Sequence, residues 1–537
     1  MSSTPAGSGA TISTSYLHGI PLHTADQSAV PEPTNPICTG TLIFSVGTQD
    51  EPLELLDITH LVEHMILGAF EHFPLPQGAV VDHESLQFHA TGKPAEVAAY
   101  FEALAHTISN FARLTERDLT LAKKIIKAED RQAYTEFSSG MLSYRFGAHG
   151  PGLAHLQTPT LEAITLDETI SWASTWLITE HAALSFTSKV PARLNVRLPA
   201  RLNVRLPAGA RQLRTDHISA RQNPTLIASP LRGIALSLLV PGSYASLLAD
   251  ALEHELVQSL RTSDGLIYSV DQLIYPLRNS TLPTAPTHHT DSLCQVDVVL
   301  DPLAENTLQV LKRSVQELRR IAEQGFSANA ISYARTVLAT NLAFDEPRTA
   351  NYLDRYTADS VAGRHTPERG TVSHTVLDGP VNALGHELQQ VLDHALVSLM
   401  VAYDDDFKVS PKQAAALGLE RDKFSIWQRS PMQRQGTVTV FNLEAADEDD
   451  SWVHRSAKEK ITLTGTHLLK KKPTKTLFIE LKTIRLVGVR DCGCFCLIDD
   501  LGRHTEIDTG EFKRSKSLRQ ALLARFEQKL IRRFPEL

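Results

Sequence analysis

Cysteine is scarce in this chain, five in 537 residues, too few for a disulfide framework. No run approaches the roughly 18 consecutive apolar residues that cross a bilayer. The opening MSSTPAGSGATIST lacks the cationic start and apolar stretch of a secretory signal. A basic surplus is missing too. Lys and Arg number 53 against 61 Asp and Glu, a net charge of −8, and a nucleic-acid binder shows a basic footprint instead. These absences leave a cytoplasmic protein without a nucleic-acid partner as the expectation. What is present is ordinary, with 42% apolar and 21% charged residues. The length exceeds what one hydrophobic core organises, so two to four domains are expected.

Hydrophobic patterning predicts a strand at 41–46, the loop GTQDEP, and a helix over 57–70. A strand-like stretch near 79–89 follows, then helices at 94–111, 115–137 and 161–176, and a strand in HAALSFTSKV. Thr115 and Asp118 form a candidate N-cap pair. The octapeptide PARLNVRL then occurs twice in tandem, at 191–198 and 199–206. It is too short for a solenoid unit and reads as a lengthened surface connection. A second series repeats the first: strand 233–242, helix 247–262, strand 294–301, and helices at 303–324 and 329–342. Beyond about 412, an acidic linker precedes short alternating runs and a final amphipathic helix over 516–533. The expected fold class is α+β. Two homologous α/β-sandwich domains, 12–190 and 233–411, are joined by a linker at 191–232. A small β-rich domain with a closing helix fills 412–537, pleckstrin-homology-like in outline and separated by few contacts.

Chemistry concentrates in His60-Leu61-Val62-Glu63-His64. On a helix the two histidines lie about 40° apart, one turn from each other. Glu63 falls beside them, while Ile58, Leu61, Val62 and Met65 make the opposite apolar stripe. Two imidazoles suit zinc, and a catalytic site adds a third ligand and an open position for water. Glu129 and Glu136, seven residues apart on the helix expected over 115–137, are the two candidates for that ligand. An unligated carboxylate beside the water serves as general base.

H-x-x-E-H, followed about seventy residues later by a glutamate with another seven before it, resembles the pitrilysin-type metallopeptidases. Insulin-degrading enzyme and the mitochondrial processing peptidase belong to that family, whose motif is the inverzincin signature. GTQDEP resembles the family's glycine-and-acid loop. GAVVDHESLQF stands where the family has its substrate-pairing strand, and Arg261…Tyr268 resembles its Arg…Tyr substrate-binding motif. The resemblance implies one zinc per chain, held by His60, His64 and Glu136, with Glu63 as base and Glu129 as an acid supporting a ligand. It implies an extended peptide substrate bound along the edge from Ala79 to Phe88 and by Arg261 and Tyr268. Enzymes of this type are clamshells of two halves, and this chain resembles one half. A homodimer with shared sites is therefore expected, with a heterodimer with a related chain as the alternative. The functional expectation is a zinc endopeptidase, against a catalytically silent peptide-binding or assembly subunit. The sequence departs from the family at Asp57, where glycine is usual, and at Val81 and Leu86, where threonines are usual. The triplet Cys492, Cys494 and Cys496 lacks zinc-finger spacing and reads as core packing.

Overall fold

The computed structural model describes residues 12–25, 37–70, 72–130, 137–148, 150–153, 159–187, 190–191, 193–200, 224–229, 231–277, 293–343, 345–361, 379–404, 406–425, 450–455, 459–471, 476–500, 502 and 504–534. It begins with a hairpin of β1 (Ile12–Leu17) and β2 (Ile20–Ala25). Then come β3 (Cys38–Phe44), α1 (Ile58–Leu67), and a second hairpin of β4 (Gln77–Val81) and β5 (Leu86–Gly92). Helices α2 (Pro94–Ser109), α3 (Glu116–Asp130), α4 (Phe137–Phe146) and α5 (Leu166–Trp176) precede β6 (Ala182–Phe186). Local chemistry sets several boundaries. Pro94 opens α2, where a missing N–H costs nothing. The Thr115 N–H and hydroxyl both donate to Asp118 at the start of α3.

These six strands form one sheet in the order β1-β2-β6-β3-β5-β4. Only β2 and β6 run parallel. A second sheet is built from β7 (Thr225–Ser229), β8 (Ile234–Pro241), β9 (Ile267–Leu277), β10 (Leu293–Pro302), β11 (Met400–Asp404) and β12 (Glu420–Ser425). Helix α6 (Ala245–Leu256) lies between β8 and β9 and runs on into a π-helical turn, Val257–Ser263. Helices α7 (Thr307–Gln324), α8 (Ala328–Ala343), α9 (Asp345–Val361) and α10 (Val381–Ala395) lie between β10 and β11, and α11 (Pro411–Ala416) precedes β12. Its order, β12-β7-β11-β8-β10-β9, repeats the first sheet with β7 for β2, β8 for β3, β9 for β4, β10 for β5 and β11 for β6. The parallel pair repeats as well, β7 with β11. Only the far edge differs, filled by β1 in one sheet and by β12 in the other.

The two sheets exchange covering helices. Met141 and Tyr144 of α4 pack on Ile227, Ala235, Met400 and Ala402 of the second sheet. Between them Arg145 is buried. It donates to Gln295 Oε1 at 3.0 Å, to the Ser398 carbonyl at 2.8 Å and to the Ser237 carbonyl at 2.9 Å. In return, Ala358 and Val361 of α9 pack on Ile43 and Ala183 of the first sheet. Each unit therefore completes its neighbour's core, a tighter union than two beads on a linker.

The remaining chain forms two four-stranded sheets. One contains β13 (Asp450–Val453), β14 (Lys460–Leu463), β15 (His467–Lys471) and β16 (Thr476–Glu480). The other, in the order β19-β18-β17-β20, contains β17 (Ile484–Arg490), β18 (Cys494–Asp499), β19 (His504–Asp508) and β20 (Ile531–Phe534). Helix α12 (Ser515–Arg525) buries Leu518 and Leu522 in their common core.

Several expectations change. The stretch near 79–89 is a hairpin, turned at Asp82, whose Oδ1 accepts from the N–H groups of Glu84 and Ser85. Of the helix expected over 115–137, Glu116–Asp130 is helical and Phe137 opens α4, while 131–136 lie outside the described residues. Strand β9 had no counterpart in the patterning. Strand β12 extends the second sheet to Ser425, beyond the boundary expected at 412. The first PARLNVRL copy does more than lengthen a surface loop, because Leu194 and Val196 alternate into the first core. The second copy lies, from Arg201 on, outside the described residues.

Candidate metal centre

Helix α1 buries Ile58, Leu61, Val62, Met65 and Ile66 against the first sheet, which turns His60 and His64 to the opposite side. Its N-terminus is held from outside the helix. Glu51 Oε1 accepts from the Thr59 N–H at 2.9 Å, and Oε2 accepts from the Asp57 N–H at 2.8 Å. Burial, and then the nearby Asp57 charge, push the Glu51 carboxyl up to about 8 against those hydrogen bonds. Gly47 makes the loop possible. A Cβ there would lie 2.5 Å from the backbone of the Asp82–Glu84 turn, and Thr48 and Gln49 donate to the Asp82 and His83 carbonyls. The glycine-and-acid loop thus ties the start of α1 to the tip of the β4–β5 hairpin.

Asp57 sits at φ 74°, ψ 8°, in the left-handed region. That conformation accounts for the glycine usual at this position in the resembled family, since a Cβ is strained there. Asp57→Gly should raise the urea midpoint of the chain, a gain of about 0.5–1 kcal/mol in stability after the added unfolded-state entropy of glycine is set against relieved strain and lost charge repulsion. A lowered midpoint would show that Asp57 is held there by contacts worth more than the strain.

The third element is α3. Leu119, Ala122 and Ile126 make its buried stripe, and Glu129 continues it by three residues, on the same helical face. Its Oε2 lies 3.1 Å from His64 Nε2 and 3.3 Å from His60 Nε2, and the two nitrogens are 3.0 Å apart. Bonds of about 2.0–2.2 Å to a tetrahedral zinc place ligand atoms about 3.3 Å from one another. All three separations lie within about 0.3 Å of that. Two imidazole nitrogens and a carboxylate oxygen converging on one point are a donor set for a divalent cation. Among the described residues, no other group of three His, Cys, Asp or Glu side chains converges in this way. The cysteine triplet does not: Cys492 is exposed and Cys496 is buried. Glu136, the ligand implied by the resemblance, lies outside the described residues.

Glu63 is buried beside this cluster. Desolvation first, and the Glu129 charge second, push its carboxyl up to about 7. Among the described residues the buried hydroxyl of Tyr100 on α2 meets no hydrogen-bond partner, and its pKa is raised by burial and then by Glu63.

Ala79 and Phe88 face each other across the β4–β5 ladder. Phe88 is fully buried on β5, which is paired on both sides, so it cannot belong to the sheet edge. The edge is β4 alone, with Val80 about half exposed. Arg261, on the π-helical turn, and Tyr268, on β9, are brought together, the guanidinium 6.0 Å from the ring centroid. Tyr268 is 71% exposed, open to solvent beside the guanidinium.

One feature escaped the patterning. Asp250-Ala251-Leu252-Glu253-His254 on α6, the counterpart of α1, echoes His60…His64 with aspartate for the first histidine. There Gln272 Nε2 donates to Asp250 and Glu253 at 2.8 Å each. Aligning the two halves by their H-x-x-E-H and D-x-x-E-H motifs exposes it.

No family model matches the chain, and no curated protein matches it in sequence. Likeness appears in three dimensions. A protease from Helicobacter pylori superposes with a TM-score of 0.54 at 13% identity, over 73% of this chain and 99% of the other. A peptidase M16 inactive domain from Pseudomonas fluorescens gives 0.53 at 13% identity, over 73% and 97%. A chain of complex III from Candida albicans gives 0.58 at 12% identity, over 76% and 100%. The chain therefore has the pitrilysin-like fold of the M16 peptidases. That fold includes a named protease and a named inactive domain, so it leaves the question of catalysis to the site.

Proposed function

We propose that this protein is a zinc-dependent endopeptidase acting on extended peptides, with His60, His64 and Glu129 as ligands and Glu63 as general base. The observation that carries this is the near-tetrahedral spacing of the three donor atoms beside a buried carboxylate. A silent subunit would have no need of Glu63 in addition to a ligand set. Bound zinc would supply Lewis acidity toward the scissile carbonyl and a water that ionises near neutral pH.

The residues of the chain then divide the work. Glu63, unprotonated, takes a proton from the attacking water and returns it to the departing amine. Strand β4 offers the free backbone groups of Gln77–Val81 to an added substrate strand, which favours unfolded peptides over folded proteins. Arg261 and Tyr268 grip the peptide from the second unit. We read each six-stranded sheet with its helices as one domain of a half clamshell, so that in a twofold dimer one copy supplies zinc and its partner supplies Arg261 and Tyr268. Its five cysteines, too few for a disulfide framework, suit a reducing compartment such as the cytoplasm. No described helix is long and apolar enough to cross a membrane.

Metal analysis with a quenched-peptide assay tests this. The purified protein should contain one zinc per chain and run as a two-chain particle. A chelator should abolish cleavage and added zinc should restore it. Cleavage that resists complete removal of metal would sink the proposal.

A further inference from the structure

We propose that the C-terminal region is a brace that fixes the spacing between the two helices of the metal centre, with Arg532, Leu486 and Ile498 as its positioning residues. This rests on the ligand assignment above but concerns a surface that the assignment does not use.

Three contacts carry it. First, Leu486, Cys496 and Ile498 of β17 and β18 form a closed apolar cluster with Leu53, Leu56, Ala148 and Leu153. Leu53 and Leu56 lie between Glu51, which caps α1, and Asp57, where α1 begins. The Ala148 N–H also donates to the Asp500 carbonyl at 2.8 Å. Second, Arg532 on β20 donates to Glu168 on α5 at 2.6 Å. Helix α5 in turn touches α1, where the Trp172 Nε1–H donates to the Thr59 hydroxyl at 3.2 Å. Third, β20 packs on the turn Pro159–Ala163, and this turn holds both ligand-bearing helices. The Thr160 hydroxyl donates to the Leu56 carbonyl at 3.1 Å, at the start of α1. Lys123 of α3 donates to the carbonyls of Glu162 and Ile164 at 3.0 and 2.6 Å, and Lys127 pairs with the Glu162 carboxylate. Glu129 stands two residues beyond Lys127. The expectation of few contacts between the C-terminal strands and the rest is therefore overturned: they cover the hub that joins α1 to α3.

A structural appendage would contribute stability alone. A brace contributes metal geometry, because ligand atoms about 3.3 Å apart tolerate little drift of one helix against the other. None of its contacts touches β4, Arg261 or Tyr268, so peptide binding should be spared.

The experiment measures zinc affinity by chelator competition, with kcat, KM and circular dichroism, for the full chain and for Arg532→Ala, Arg532→Lys, Glu168→Gln and the double variant Leu486→Ala/Ile498→Ala. Arg532→Ala and the double variant should bind zinc about tenfold more weakly, the low end of what contacts supporting metal ligands are worth. KM should stay unchanged and excess zinc should restore kcat, with Arg532→Lys close to wild type. If the double variant loses its fold, Arg532→Ala and Glu168→Gln decide alone. Zinc affinity within twofold of wild type in folded variants, or a loss confined to KM, would overturn the brace. A wild-type chain that binds no zinc would overturn the ligand assignment instead.

Discussion

Glu63→Gln should retain its zinc and lose turnover, with kcat down by roughly 10²–10⁴-fold, the usual value of a positioned general base. The amide has nearly the same shape, so the packing of α1 and the positions of His60 and His64 should persist. The pH profile gives an independent check. Burial, and then Glu129, raise the Glu63 carboxyl to about 7, and a dication beside it pulls that value down. A base must be unprotonated to act. Wild-type kcat/KM should therefore climb with pH along an acid limb centred at or below about 7 and then level off. That limb should vanish in Glu63→Gln. Wild-type turnover in the variant, or an unchanged limb in its residual activity, would assign the base elsewhere.

How much of this was legible beforehand depends on whether the signal was local. The His60…His64 helix is a one-element pattern: period 3.6 fixes both its apolar stripe and the convergence of its histidines, and residue spacing reports both. The duplication was legible too, because strand and helix runs recur in the same order. The exchange of α4 and α9 between sheets was not. Arg145 sits in a helix of low amphipathicity and finds its partners at Ser237, Gln295 and Ser398, far away in sequence. Nor was the contact of Leu486 and Ile498 with Leu53 and Leu56. Apolar residues on a short strand look the same whether they face their own core or another domain. Strand β9 was missed because Tyr268, Asp271 and Gln272 interrupt its apolar run; Tyr268 is exposed and Gln272 holds the α6 carboxylates.

The third ligand shows where local reasoning ran out. Glu129 and Glu136 are seven residues apart, and on one unbroken helix they would share a face, so periodicity alone leaves both open. The family spacing favours Glu136. Described α3 reaches Asp130, and Glu136 lies outside the described residues, so of the two glutamates only Glu129 is placed. Glu129 meanwhile continues the Leu119–Ala122–Ile126 stripe and reaches both imidazoles. Glu129→Gln should accordingly empty the site. A neutral amide oxygen is a poor substitute for an anionic ligand, and zinc affinity should fall by more than the roughly 10–100-fold typical of a supporting contact. Glu136→Gln should stay within that lesser range. Zinc content after dialysis against a graded chelator separates the two, and it does so without reference to catalysis. An empty Glu136→Gln protein beside a zinc-loaded Glu129→Gln protein would exchange their roles. It would make Glu136 the ligand and leave the 3.1 Å approach of Glu129 to His64 to a supporting acid.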